Sequence, residues 1–405
     1  MSPAPAAVDS AASWLRLGLS LALSSIGGVG LWSVVVVLPT VETAFGVARA
    51  DAALPYALAM IGFGLGGVVM GRLADRFGIM VPALLGAVLL GAGYAAAGLS
   101  QTLWQFALAH GLLIGLGSSA TFSPLMADIT HWFDRRRGIA VAICASGNYL
   151  AGTIWPSLVQ HFVESAGWRQ THLGIGLFCL VTMLPLAAAL RAHPPARQDE
   201  RAGVAAARER SGAGLSPGAL QALLIAAGIS CCVAMSMPQV HIVAYCGELG
   251  YGVARGAAML SLMLGFGIVS RVGSGFLADR IGGVGTLLIG SVLQAVALFL
   301  YLLFDGLTSL YVISALFGLF QGGIVPSYAL IVRQYFPPEE AGTRVGLTIM
   351  ATLIGMSFGG WLSGAIFDAT GNYRAAFANG LAWNMVNVAI AAWLLRRPGP
   401  RLAAA

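Results

Sequence analysis

The sequence predicts an all-α polytopic membrane protein, with twelve transmembrane helices arranged as two pseudo-symmetric six-helix bundles. Three observations carry that expectation. Of 405 residues, 58% are hydrophobic and only 9% charged, against about 25% charged in an ordinary soluble domain. Apolar runs recur along the whole chain, each long enough to cross a hydrocarbon core of about 30 Å, which takes about 20 helical residues. The octapeptide "GRLADRFG" at Gly71–Gly78 returns as "GFLADRIG" at Gly275–Gly282, 204 residues later, so the two halves repeat one design.

The first run, 14–38, follows "MSPAPAAVDSAASWLRLG", which lacks the basic start of a secretory signal and is read as leading into a retained span. Run 52–74 ends in the first copy of the repeated loop. Runs 79–99 and 104–130 follow, "HWFDRRRG" leads into 138–162, and 170–190 completes six. The one long polar stretch, "RAHPPARQDERAGVAAARERSGAGLSP" from Arg191, divides the chain into an N-terminal bundle at 1–190, a cytoplasmic linker at 191–216 and a C-terminal bundle at 217–405. Six more runs lie beyond it: 217–246, 256–278, 284–304, 308–334, 345–367 and 374–395. Repeated halves of this kind imply a pseudo-twofold axis along the membrane normal and a substrate site near the midplane.

Charge sets the orientation. With both termini cytoplasmic, seventeen of the 22 basic residues fall on the cytoplasmic side, and only Arg49, Arg169, Arg255 and Arg374 fall outside. That bias satisfies the positive-inside rule and explains the net charge of +6 without a nucleic-acid partner. Every cation is arginine, since the chain has no lysine.

Several chemistries are not indicated. The five cysteines all fall in apolar runs, at no metal-binding or disulfide-framework spacing. "GFGLGG" at Gly62–Gly67 lies inside an apolar run with no preceding strand, so it is read as close helix packing, like Gly111–Gly115–Gly117 and Gly355–Gly359, rather than a dinucleotide loop. No nucleophile–base cluster, phosphate loop or metal set is evident, and neither an enzyme nor a cofactor is expected.

One residue breaks both the apolar pattern and the repeat. Arg271 lies within the eighth run, eight residues before Asp279, about 12 Å along a helix from its end. Its counterpart 204 residues earlier is Gly67, although the loops just beyond match at glycine, alanine, aspartate and arginine. A cation needed only to build the fold would be expected in both halves. An arginine at mid-membrane costs about 2.5–3.5 kcal/mol on insertion scales, so it should face water or a counter-charge. Most acids lie in loops or span ends, and Asp128 is one turn from a loop. Two readings follow: Arg271 binds an anionic substrate through its planar fork, or it meets backbone carbonyls and snorkels toward the cytoplasm.

The paired "G-x-L-A-D-R-x-G" loops resemble the hallmark loops of the major facilitator superfamily, and the resemblance covers essentially the whole chain. "SPLMADITHWFDRRRGIAVAICASG", Ser123–Gly147, is similar to the passage leading into the fifth helix of the monocarboxylate transporter family, with Phe133 and Arg135–Arg137 at matching positions and Trp132 in place of a tyrosine. Arg271 stands where that family carries an arginine in helix 8. The first-helix pattern survives only as "IGGVGL" without its acid, the lysine of animal members is absent, and Gly267 replaces the aspartate expected four residues before the arginine. The first two departures suggest a bacterial inner-membrane relative, and the third leaves the proton-carrying residue open.

What the resemblance implies is a secondary active transporter of small monocarboxylates such as lactate or pyruvate, coupled to a proton by alternating access and working as a monomer. Arg271 would hold the carboxylate. Asn148, at a similar depth, and Tyr328, in "VPSYAL", are further substrate-binding candidates, although a helix–helix hydrogen bond or core packing explains either. His241, three residues after Pro238, could carry the proton or be merely hydrogen-bonded. Asp75, Arg76, Asp279 and Arg280 would latch the cytoplasmic helix ends. A carboxylate exchanger of the oxalate–formate type and a non-transporting carboxylate sensor on the same fold stay open.

Overall fold

The computed structural model describes residues 8–192 and 216–397, the side chains at 338 and 339 excepted. The linker expected at 191–216 lies outside them, apart from its first two residues and its last.

Among the described residues, eleven helices are long and apolar enough to cross a membrane. The first seven are α1 (Ala11–Val36), α2 (Arg49–Phe77), α3 (Met80–Gly98), α4 (Leu103–Thr130), α5 (Arg137–Ala166), α6 (Trp168–Ala189) and α7 (Pro217–Glu248). The next, Val253–Leu303, has 51 residues and is interrupted at Gly282 (φ 78°, ψ 171°), so it carries two spans, α8 (253–281) and α9 (283–303). Then come α10 (Leu307–Tyr335), α11 (Glu340–Thr370) and α12 (Tyr373–Leu395). All twelve expected spans are therefore present. The repeat also extends to backbone conformation: Gly78, closing the first loop copy, has φ 79° and ψ 164°, nearly the values of Gly282. Glycine occupies both because a side chain is strained at positive φ.

By backbone contacts the described residues fall into two compact units, one within Met1–Ala196 together with Val240–Gly265, the other within Arg197–Gln239 together with Phe266–Ala405. In the first unit α3 packs along α6, α2 against α4 and α1 against α5. Lipid removes the hydrophobic drive between helices, so close packing of small residues must hold them. Accordingly, a methyl on Gly62 would strike the Gly111 carbonyl, and one on Gly117 would stand 2.9 Å from the Gly86 carbonyl. The glycine runs are packing surfaces, as the sequence suggested. α4 is irregular, with a π-helical turn at Ala109–Gly115 and a break at residues 120–122.

The 240–265 segment joins this unit because the end of α7 and the start of α8 pack on it. Ser261 Oγ lies 3.1 Å from Ser157 Oγ on α5, and Gly152 makes room for Leu264. In the second unit, Gly355 and Gly359 of α11 seat against Ile229, Cys232 and Val233 of α7, while Gly283 and Gly290 of α9 seat against Ile331 and Ile324 of α10. α10 is itself broken, with helix over Leu307–Gln321 and Ile324–Tyr335 joined at Gly322–Gly323. All five cysteines are free and buried.

Candidate functional site

Arg271 sits on α8 where that helix crosses the α10 break. A methyl on Gly322 would strike the Gly267 carbonyl and stand 2.8 Å from Ser270 Cβ, and one on Gly323 would strike Ser274. Residues 267, 270, 271 and 274 share one helical face, so Arg271 shares the stripe that meets Gly322–Gly323. It is half-buried, its Nε is enclosed, and its backbone carbonyl accepts a hydrogen bond from Ser274 Oγ at 3.0 Å. Its backbone neighbour Ser270 is the residue that packs on Gly322.

The same crossing occurs in the first unit with its parts exchanged. There the glycine, Gly66, is on α2 and the serine, Ser119, is on α4. Gly66 corresponds to Ser270 and Ser119 to Gly323 by the 204-residue offset. Gly67, the counterpart of Arg271, meets only Ser123 Oγ, 3.9 Å from where a methyl would stand. The architecture at this level is thus built without an arginine in one repeat and with one in the other.

The structure separates Tyr328 from this face. Ile324, Tyr328 and Ile331 form a different stripe of α10, turned toward α9 and α12. Tyr328 is fully buried, and its hydroxyl donates to Asn387 Oδ1 at 2.9 Å. Asn387 Nδ2 donates to Ser291 Oγ at 2.7 Å, and Asn384 Nδ2 to the Ser291 carbonyl at 2.8 Å. Of the two readings open for Tyr328, the geometry favours core packing with a satisfied hydroxyl.

Asn148 and His241 belong to the first unit. Asn148 is half-buried on α5 beside a break in α1 at Gly27–Gly28, where a methyl on Gly28 would stand 3.3 Å from its Oδ1. Two indoles brace the break: Trp32 Nε1 donates to the Asn148 carbonyl at 3.2 Å, and Trp155 Nε1 to the Ser25 carbonyl at 2.9 Å. His241 is fully buried on α7. Asp75, Arg76, Asp279 and Arg280 are all exposed.

Other polar groups escaped sequence reading because their partners are distant in the chain. Arg16, 3% exposed, forms a fork–fork pair with Asp128, Nε to Oδ2 and Nη2 to Oδ1 both at 2.9 Å. Its Nη1 donates to the carbonyls of Leu190 and Ala192 at 3.0 Å, and its guanidinium lies 4.7 Å from the Trp132 ring centroid. One side chain therefore ties together the ends of α1, α4 and α6. Arg49 pairs with Glu42 and, at 2.7 Å, with Glu248 of α7. In the second unit, the buried Gln239 of α7 donates through Nε2 to Gln321 Oε1 at 2.7 Å. The visible signal for each was a polar residue inside an apolar run or at its end.

Twelve spans in two repeated halves, with glycine-lined crossings and broken helices at mid-span, define a polytopic secondary-transporter architecture. The Major Facilitator Superfamily profile matches residues 20–309 and 274–405, and the chain belongs to that family. It is a multi-pass membrane transporter, with a small-molecule solute and a lipid bilayer as its partners.

The chain is similar to the MFS-type transporter pynF of Aspergillus niger, 25% identical over 310 residues, covering 75% of this chain and 69% of that protein. It is similar to monocarboxylate transporter 13 of Bos taurus, 28% over 323 residues, covering 77% and 72%. The aspyridones efflux protein apdF of Emericella nidulans is 26% identical over 317 residues, covering 75% and 63%. Among solved structures, a bacterial homolog of the human lysosomal transporter Spinster shares the fold with a TM-score of 0.69 at 16% identity, covering 95% and 96% of the two chains. The peptide transporter POT does so with a TM-score of 0.73 at 12% identity, covering 94% and 95%.

Proposed function

We propose that this protein moves small monocarboxylates of the lactate or pyruvate kind together with a proton, by alternating access. In this reading it acts as a monomer in a bacterial inner membrane with both termini cytoplasmic. The observation that carries the proposal is Arg271. It is a half-buried cation on an apolar helix, set at a helix crossing that the other repeat builds with Gly67 instead. A guanidinium offers two parallel donors to a carboxylate, and an anion bound there offsets the cost of keeping the cation in the membrane. The similarity to a protein named monocarboxylate transporter 13 supports the reading. Asn148 and His241 stand as secondary candidates, for substrate and proton respectively.

The test is uptake of labelled lactate, pyruvate and oxalate into proteoliposomes, with and without an inward proton gradient. Symport predicts accumulation driven by the gradient, and its loss in Arg271→Gln and Arg271→Ala proteins that insert correctly. Normal transport by either variant refutes the role of Arg271. If His241 carries the proton, His241→Gln abolishes the pH dependence.

A second reading is favoured by the fungal relatives, one of which is named an efflux protein: export of a larger organic product. It predicts no monocarboxylate uptake under either condition. Uptake accelerated by internal carboxylate and indifferent to the gradient would indicate exchange, and carboxylate binding without flux would indicate a sensor.

A further inference from the structure

The second unit holds an amide that its own fold leaves half used. Gln321 is fully buried and is the last helical residue before the α10 break. Its Oε1 accepts from Gln239 Nε2 at 2.7 Å, yet among the described residues its Nε2 meets no acceptor. As placed, Gln239 is the donor and Gln321 keeps the unmatched donor; exchanging oxygen and nitrogen in both amides would leave Gln321 Oε1, an acceptor, unmatched in its place. A buried N–H without an acceptor is costly and uncommon in native proteins. The break that follows Gln321 is the crossing where Gly322 and Gly323 pack on Gly267, Ser270 and Ser274, the stripe that includes Arg271. Gln321 and Arg271 therefore share one level of the unit, with α7 contributing Gln239 behind the amide.

We infer that the Gln321 carboxamide is a specificity-determining group for the transported acid, an inference that rests on the monocarboxylate reading above. Arg271 supplies the charged fork for the carboxylate. Gln321, neutral and held in orientation by Gln239, donates Nε2–H to an uncharged acceptor on the neighbouring carbon. The acids this pair selects are those with an oxygen at carbon 2, the 2-hydroxy and 2-oxo acids, over the unsubstituted acids. A neutral amide suits that task because it satisfies a hydroxyl or ketone oxygen without adding charge to a site that already has a cation. Gln239 is a positioning residue: it touches the amide, not the substrate.

Lactate and propionate differ only by the hydroxyl at carbon 2, so they form the decisive pair. Uptake of each would be measured in proteoliposomes for the parent protein, Gln321→Met and Gln239→Met. Methionine keeps the volume and removes the amide. The expected result for Gln321→Met is a KM for lactate raised about five- to ten-fold, the worth of one neutral hydrogen bond, with propionate transport unchanged. Gln239→Met should give a smaller shift in the same direction. Unchanged lactate kinetics, or an equal loss for both acids, overturns the inference. If Gln321→Met does not insert, Gln239→Met decides: a loss confined to lactate supports the inference, and any other result overturns it. Failure of the parent protein to take up either acid instead removes the monocarboxylate reading, and this inference with it.

Discussion

Replacing Asp128 by asparagine tests how the first unit is held together at the end that carries the Gly71–Gly78 loop. The substitution keeps the shape of the side chain and removes its charge. The Arg16 and Asp128 side chains are only 4% and 9% exposed, so the guanidinium would be left in the protein without its carboxylate. Removing one partner of a buried pair costs about 3–5 kcal/mol. Arg16 keeps its two carbonyl bonds and the face of Trp132, which favours the lower end, about 3 kcal/mol. At about 2–4 °C per kcal/mol for a unit of this size, the melting temperature should fall by about 6–12 °C. The assay is thermal unfolding of the detergent-purified protein followed by fluorescence-detected size exclusion. An Arg16→Leu, Asp128→Leu double variant should recover much of the loss, because neither charge is then stranded. Melting of Asp128→Asn within about 2 °C of the parent, less than 1 kcal/mol by the same conversion, would refute the assignment of this pair as a clamp.

The α10 crossing predicts a contrast between two glycines. Gly322→Ala would drive a methyl into the Gly267 carbonyl, and backbone cannot yield as a side chain can. Overpacking of this kind costs about 1–3 kcal/mol, so lower thermal stability and slower uptake are expected. Gly273→Ala, on α8 with nothing within 4 Å of the new methyl, should be neutral or slightly stabilising, and equal effects of the two would contradict the packing argument. Tyr328→Phe strands the buried Asn387 Oδ1 at a cost of about 1–3 kcal/mol, which melting measures. Substrate KM should stay put, and a raised KM at unchanged stability would return Tyr328 to the binding site.

Much of the architecture was readable before any coordinates because the bilayer imposes a length and an apolar composition on every span. Gly282 shows how far that legibility extends: the repeat marked it as the end of a loop, and it shares the positive φ of Gly78. Arg271 could be singled out by the same logic, since a charge inside an apolar run is conspicuous and the other half has Gly67 at the matching place. Tyr328 could not be assigned, because a hydroxyl in a span looks the same in sequence whether it faces a substrate or Asn387. Nor could the partnership of Arg16 with Asp128, 112 positions apart, be found from spacing along the chain.

Periodicity, hydropathy and internal repetition are local or self-referential properties, and they sufficed for the spans, their number, the two related halves and the exceptional arginine. Which side of a helix a polar group uses, and which remote group it meets, depends on how glycine contacts let the helices approach and where each helix breaks. The Gln239–Gln321 bond joins α7 to α10 just before the Gly322–Gly323 break, and no pattern along the chain encodes that meeting.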